Sequence, residues 1–188
     1  MGSKIRDIPL HRGLTKVLID EATLARRVAE LGREIGEFYR GREPILIGVL
    51  TGAVVFMADL ARAMEIPLTM EFLAISSYGN ATRSSGVVRI LKDLNHPIEG
   101  KPVLVVEDII DSGLTLDYLL DLLQRRNPSE IRVATLLLKQ RARQIEVKPD
   151  WVGFEIPDEF VVGYGLDYAG RYRNLPFIGI GSADAIAS

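Results

Sequence analysis

Apolar residues recur early in the chain at Leu24, Val28, Leu31, Ile35 and Phe38, in steps of four and three, with Asp20 just ahead of them. That spacing returns each side chain to one face of a helix, and an aspartate can accept from the free N–H groups at its start. An unbroken apolar run at 45–50 predicts a strand, ended by Thr51-Gly52, and 53–64 then reads as helix. Residues 68–75 and 87–91 read as strands. Between them SSYGNATRSSG, at 76–86, is small, polar and without period, which predicts a loop long enough to move. Residues 95–101 predict a turn, and the four apolar residues at 103–106 predict a buried strand. Leu116, Leu119, Leu120 and Leu123 put leucines on one face of the next helix, and 131–138 predict one more strand. After it the pattern changes: 151–155, 160–162 and 177–180 are short β-like pieces separated by Gly, Pro and Asp.

Buried strands alternating with helices predict an α/β fold, an open and mostly parallel sheet with flanking helices. The irregular C-terminal part reads as a small lobe added to that sheet. A length of 188 residues suits a single domain over 1–188, with its core at about 20–140. In such sheets ligands bind beyond the carboxyl ends of the strands.

Charge and composition narrow the chemistry. Lys plus Arg number 23 against 25 Asp plus Glu, a balance that lacks the basic footprint of a nucleic-acid binder. The absence of cysteine excludes disulfides, thiolate metal sites and a cysteine nucleophile, and is compatible with a reducing compartment. MGSKIRDIPLHRG carries no apolar signal core, and a myristoylation pattern would need Ser or Thr where Arg6 stands. The most hydrophobic stretch, 45–58, is too short to span a bilayer. The expectation is a soluble, cytoplasmic protein with no membrane or nucleic-acid partner.

Val103-Leu104-Val105-Val106 runs into Glu107-Asp108, then Ile109-Ile110, then Asp111-Ser112-Gly113-Leu114-Thr115 and a helix. A buried strand thereby brings two carboxylates to the sheet rim, where they can accept from a sugar diol or hold a hydrated divalent cation. Gly113 permits a tight turn of converging N–H groups, Ser112 and Thr115 add hydroxyls, and the helix start offers free N–H groups to an anion. Paired acids after a strand, or Asp-Ser-Gly alone, are also ordinary turn and cap chemistry. The complete order is what points to a sugar phosphate.

VLVVEDIIDSGLT resembles the signature of the phosphoribosyltransferases that use phosphoribosyl pyrophosphate. LTGAVVFMADL at 50–60, ISSYGN at 75–80 and KPDWVGFEIPDEFVVGYGLDYAGRYRNLPFIG at 148–179 are similar to the hypoxanthine-guanine members of purine salvage. The resemblance covers roughly 45–181. It implies the Rossmann-like type I fold with a purine-binding hood, mainly 141–181, and transfer of phosphoribosyl to a 6-oxopurine with magnesium.

It further implies roles. Glu107 and Asp108 would face the ribose hydroxyls and a magnesium ion, and Asp111 would be the general base. Ser112, Gly113, Leu114 and Thr115 would hold the 5′-phosphate. Leu50, Thr51 and Gly52 would form the pyrophosphate loop, with a cis peptide at Leu50-Thr51. Lys139 would donate to the purine 6-oxo oxygen, Phe160 would stack on the ring, and the Val161 backbone would bind its edge. Asp167 would bind a second magnesium, Arg173 would contact pyrophosphate, and Ser77 and Tyr78 would belong to a covering loop. A homodimer or homotetramer is implied as well. Thr51 and Leu114 stand where animal members carry lysine, so the likeness is to bacterial-type members. His11 and His96 receive no role.

Two other classes share part of the pattern. A regulator on this fold would bind phosphoribosyl pyrophosphate as a signal and RNA or DNA as target, and would need a basic face. An aspartate-phosphorylated receiver domain also ends a strand in paired acids, but has no need of Ser112-Gly113-x-Thr115 or of the C-terminal lobe.

Overall fold

A computed structural model describes residues 13–77, 88–140 and 148–181. The chain opens with β1 (Leu14–Ile19), which the hydrophobic pattern did not announce, and α1 (Glu21–Phe38) follows at once. Asp20 caps α1 by accepting from the Thr23 N–H at 2.8 Å, and Leu24, Val28, Leu31 and Ile35 are buried along one face. Phe38 departs from that face and is 39% exposed, while the C-cap residue Tyr39 is buried in its place. The helix ends there, and the Tyr39 hydroxyl donates to the Val103 carbonyl at 3.4 Å. The Phe38 ring lies edge-on to Trp151, with the Arg42 guanidinium over it.

Next come β2 (Ile45–Val49), α2 (Val54–Ala63), β3 (Thr69–Ser77), β4 (Val88–Lys92), β5 (Pro102–Ile110), α3 (Leu114–Gln124), β6 (Glu130–Lys139), β7 (Trp151–Ile156), β8 (Val161–Val162) and β9 (Ile178–Gly181). The six-stranded sheet has the order β4-β3-β2-β5-β6-β7 and is parallel except for β4, which runs antiparallel to β3 at one edge. A smaller antiparallel sheet, β1-β9-β8, ties the N-terminal strand to the C-terminal lobe.

Alternation along β5 explains the layers. Leu104 and Val106 join the core beneath α1 and α2, which also holds Val161, Tyr164 and Ile178 of the C-terminal lobe. Val103 and Val105 point the other way, into a core shared with Leu116, Leu119 and Leu123 of α3. The helices α1 and α2 approach closely because a Cβ at Gly36 would run into the Met64 carbonyl.

Strand lengths differ from the expectation in two places. β5 does not stop at Val106; its ladder with β6 continues through Glu107, Ile109 and Ile110. β3 likewise continues to Ser77, because its backbone pairs with β4 through Ser76 and Ser77. Tyr78 and most of the 76–86 segment lie outside the described residues, as does His11.

Glu71, on β3, is a buried acid that the pattern did not single out. It accepts from the Asn95 backbone and side-chain amides, each at 3.1 Å, and faces His96 Nδ1 at 2.5 Å. Burial pushes its carboxyl up, but the His96 and Asn95 partners outweigh this and hold it below the ordinary glutamate value. A carboxyl lowered in the folded state adds stability above its unfolded value and loses it as pH falls through the folded one. Glu71→Gln is therefore expected to cost about 1–3 kcal/mol at neutral pH. It should also flatten the acid limb of stability against pH; urea unfolding across the carboxylate range measures both effects, and an unaltered acid limb would rule out the role.

Candidate functional site

Three neighbouring parallel strands, β2, β5 and β6, end side by side, and each carries chemistry at its carboxyl end. β2 leads into Leu50-Thr51-Gly52, β5 carries Glu107 and Asp108 before releasing Asp111, and β6 ends on Lys139. A cleft of about 230 Å³ lies at the ends of β2 and β5, bordered by Leu50, Gly52, Glu107, Asp108, Asp111, Ser112, Gly113 and Thr115; Lys139 lies beside it and does not line it. Val49, Ile109, Ile110 and Leu116 supply its apolar walls.

Gly113 is the N-cap of α3 and has φ +77°, a conformation that favours glycine. The helix begins at Leu114, so Gly113, Leu114 and Thr115 present the N–H groups of its first turn, and Ser112 stands beside them. The Leu114 side chain is 65% exposed and does not line the cleft, which leaves its backbone as the useful part.

Glu107 is 7% exposed, and its Oε1 has no hydrogen-bond partner. Burial, with the neighbouring Asp108 charge, pushes its carboxyl up to about 8. Asp108 is raised too, by burial first; the Ile109 N–H at 2.9 Å and the nearby Arg173 charge offset this only in part. Gly52 sits directly against the Asp108 carboxylate, where an added Cβ would collide with it. The Leu50-Thr51 peptide bond is cis, and the Leu50 N–H donates to the Leu73 carbonyl at 2.8 Å. The Thr51 side chain faces solvent.

The C-terminal lobe packs against the same Gly52 loop without lining the cleft. Gly165, at φ +101°, packs on the Gly52 carbonyl so tightly that no Cβ would fit. Arg173 donates to the Gly165 carbonyl at 2.6 Å and pairs with Asp167 at 2.7 Å, while the Gly170 N–H holds the other Asp167 oxygen. The Tyr164 hydroxyl donates to Asp59 of α2 at 2.6 Å, pinning the lobe to that helix. Burial raises the Tyr164 phenol first, and the bond to Asp59 raises it further, so it stays a donor.

Lys139 Nζ lies 3.4 Å from Asp111 Oδ2 and 3.3 Å from Asp158 Oδ1. Phe160 leaves part of its ring exposed and meets Tyr168 edge-on, with ring centres 5.7 Å apart. Val161 starts β8 and pairs with Ile180.

Among the described residues no three His, Cys, Asp or Glu side chains converge as a complete cation cage. Glu107 and Asp108 form one acidic pair, and Asp167, paired with Arg173, reaches Asp108 through its charge. Sequence reasoning did not find Asp59, Asp158, Tyr164 or Gly165. Their partners are distant in sequence (Tyr164 and Asp59 are 105 residues apart), and a lone acid or tyrosine carries no signal of its partner. Among the described residues no helix is long and apolar enough to cross a membrane.

Residues 17–169 match the model of the phosphoribosyl transferase domain. The bifunctional protein TilS/HprT of Listeria monocytogenes is 54% identical over 91% of this chain, which spans 26% of that longer protein. The hypoxanthine-guanine phosphoribosyltransferase of Bacillus subtilis is 53% identical, covering 91% of this chain and 95% of its own length. A crystal structure of a hypoxanthine phosphoribosyltransferase from Staphylococcus aureus superposes with a TM-score of 0.91 at 40% identity, over 97% of this chain and 99% of that one. With this domain match and these relatives, the chain belongs to the phosphoribosyltransferase family.

Proposed function

We propose that the chain transfers the 5-phosphoribosyl group of phosphoribosyl pyrophosphate to a 6-oxopurine, hypoxanthine first and guanine with it, giving IMP or GMP and pyrophosphate in cytoplasmic purine salvage. The observation that carries this reading is one cleft lined by the buried Glu107, the half-buried Asp108, the Gly113-led helix start and Asp111, the last in contact with Lys139. On this reading 1–188 is a single domain, with its core at about 20–140 and the purine hood mainly at 141–181. The working assembly is a homodimer or homotetramer.

The first-turn N–H groups of α3, with Ser112 and Thr115, hold the 5′-phosphate. Glu107 and Asp108 accept from the ribose hydroxyls, and the Leu50-Thr51-Gly52 backbone with Arg173 receives the pyrophosphate. On the hood side Lys139 donates to the 6-oxo oxygen, Phe160 covers the ring and the Val161 backbone meets its edge. Asp111 accepts the proton as the ring N–H bond breaks, and the freed nitrogen pair attacks the anomeric carbon. The carbon–oxygen bond to pyrophosphate breaks in the same displacement and its electron pair leaves with that oxygen. The segment that follows β3, with Ser77 at its root and Tyr78 beyond it, serves as the cover that keeps water off the anomeric carbon as pyrophosphate leaves.

The donor set suits magnesium. This ion takes one or two carboxylates and keeps waters and substrate oxygens, and a buried glutamate with one unpartnered oxygen beside a half-buried aspartate offers such a site. Glu107 and Asp108 would hold one ion and Asp167 a second. When bound, the metal offsets the charge gathering on the departing pyrophosphate.

A spectrophotometric assay with hypoxanthine, guanine, xanthine and adenine tests the reaction. Turnover of hypoxanthine and guanine that disappears in excess chelator is expected; transfer to adenine alone, or turnover indifferent to chelator, would refute it. Asp111→Asn is expected to slow nucleotide formation by roughly 10²-fold or more, the usual contribution of a general base, at nearly unchanged stability. Near-normal turnover in that variant would remove Asp111 from the role.

A further inference from the structure

Lys139 is a buried cation at the end of β6, and its ammonium is shared between two carboxylates from different parts of the fold. Asp111 follows β5 on the sheet side of the cleft. Asp158 lies between β7 and β8, two residues before Phe160, and its side chain is half exposed. An ammonium withdrawn from water needs a counter-charge to hold it in place, or it swings away toward solvent.

In the reaction proposed above, Asp111 becomes neutral when it accepts the purine proton. If Asp111 were the only partner, Lys139 would lose its counter-charge at that moment, while it must still hold the 6-oxo oxygen. We infer that Asp158 is a positioning residue that keeps the Lys139 ammonium aimed at the purine throughout turnover. It is suited to this because it remains partly hydrated, so its own charge costs little, and because it takes no part in the proton transfer. It also ties the direction of Lys139 to the segment that carries Phe160. The group on the purine at position 6 and the face of its ring are thereby read by parts that move together. The inference rests on the proposed function.

The test compares the wild-type chain with Asp158→Asn and the charge-conserving Asp158→Glu, using initial rates and calorimetric titration with IMP and with ribose 5-phosphate. Asp158→Asn is expected to raise KM for hypoxanthine about fivefold, the factor set by an ion pair at the upper end of the exposed range. KM for phosphoribosyl pyrophosphate and affinity for ribose 5-phosphate should stay unchanged, IMP affinity should fall in step, and Asp158→Glu should restore most of the loss. Unchanged purine KM in Asp158→Asn overturns the inference, as does an equal rise in both KM values, which would mark a general disturbance of the lobe. A wild-type chain that transfers phosphoribosyl to no purine brings down the underlying reading as well. Wild-type turnover of hypoxanthine with an indifferent Asp158→Asn brings down the inference alone.

Discussion

Two adjacent acids on one strand, Glu107 buried and Asp108 half-buried, have lost much of their water, and both carboxyls are pushed up by it. Burying an ionised carboxylate without compensation is expensive, so a pair of this kind persists where something else must meet it. The chain brings little of that compensation itself: Asp108 has the Ile109 N–H and the Arg173 charge, and Glu107 leaves one oxygen unpartnered. The arrangement makes sense as half of an interaction whose other half arrives with substrate and cation.

Packing around that pair sets the positions of the surrounding groups. Gly52 lies against the Asp108 carboxylate on one side, and its carbonyl supports Gly165 of the hood on the other. A layer only one residue thick therefore separates the acids from the hood. Arg173 holds the Gly165 carbonyl and Asp167 together, and Tyr164 fastens the same turn to Asp59 of α2. The Leu50-Thr51-Gly52 loop, Asp108 and the C-terminal lobe are packed on one another, which fits the proposed reaction, in which a leaving group and an attacking base sit on opposite sides of one sugar carbon.

The parts legible in the sequence were those with local causes. Asp20 and the four-and-three spacing announced α1, and the leucines after Thr115 announced α3, because helix faces repeat within a few residues. The order from Val103 to Thr115 was legible for the same reason: strand, acids, turn and helix start are consecutive. Other features depend on remote partners. β1 alternates poorly, as an edge strand with exposed Thr15 and Lys16 would, and exists because β9 pairs with it more than 150 residues later. Phe38 fell on the apolar spacing but lost its place to Tyr39 because the helix stopped beneath it. β5 ran past Val106 because β6 continued to pair with it, which charged residues in the strand had concealed. Asp158 and Asp59 look like any surface acid until Lys139 and Tyr164 are placed beside them.

The measurement that bears most directly on this account is a crystal structure of the protein with a nucleoside monophosphate such as GMP. The account predicts the 5′-phosphate against the backbone N–H groups of Gly113, Leu114 and Thr115, with the ribose hydroxyls on Glu107 and Asp108 and the base between Lys139 and Phe160. A nucleotide bound elsewhere, with the helix mouth at Gly113 vacant, would contradict it.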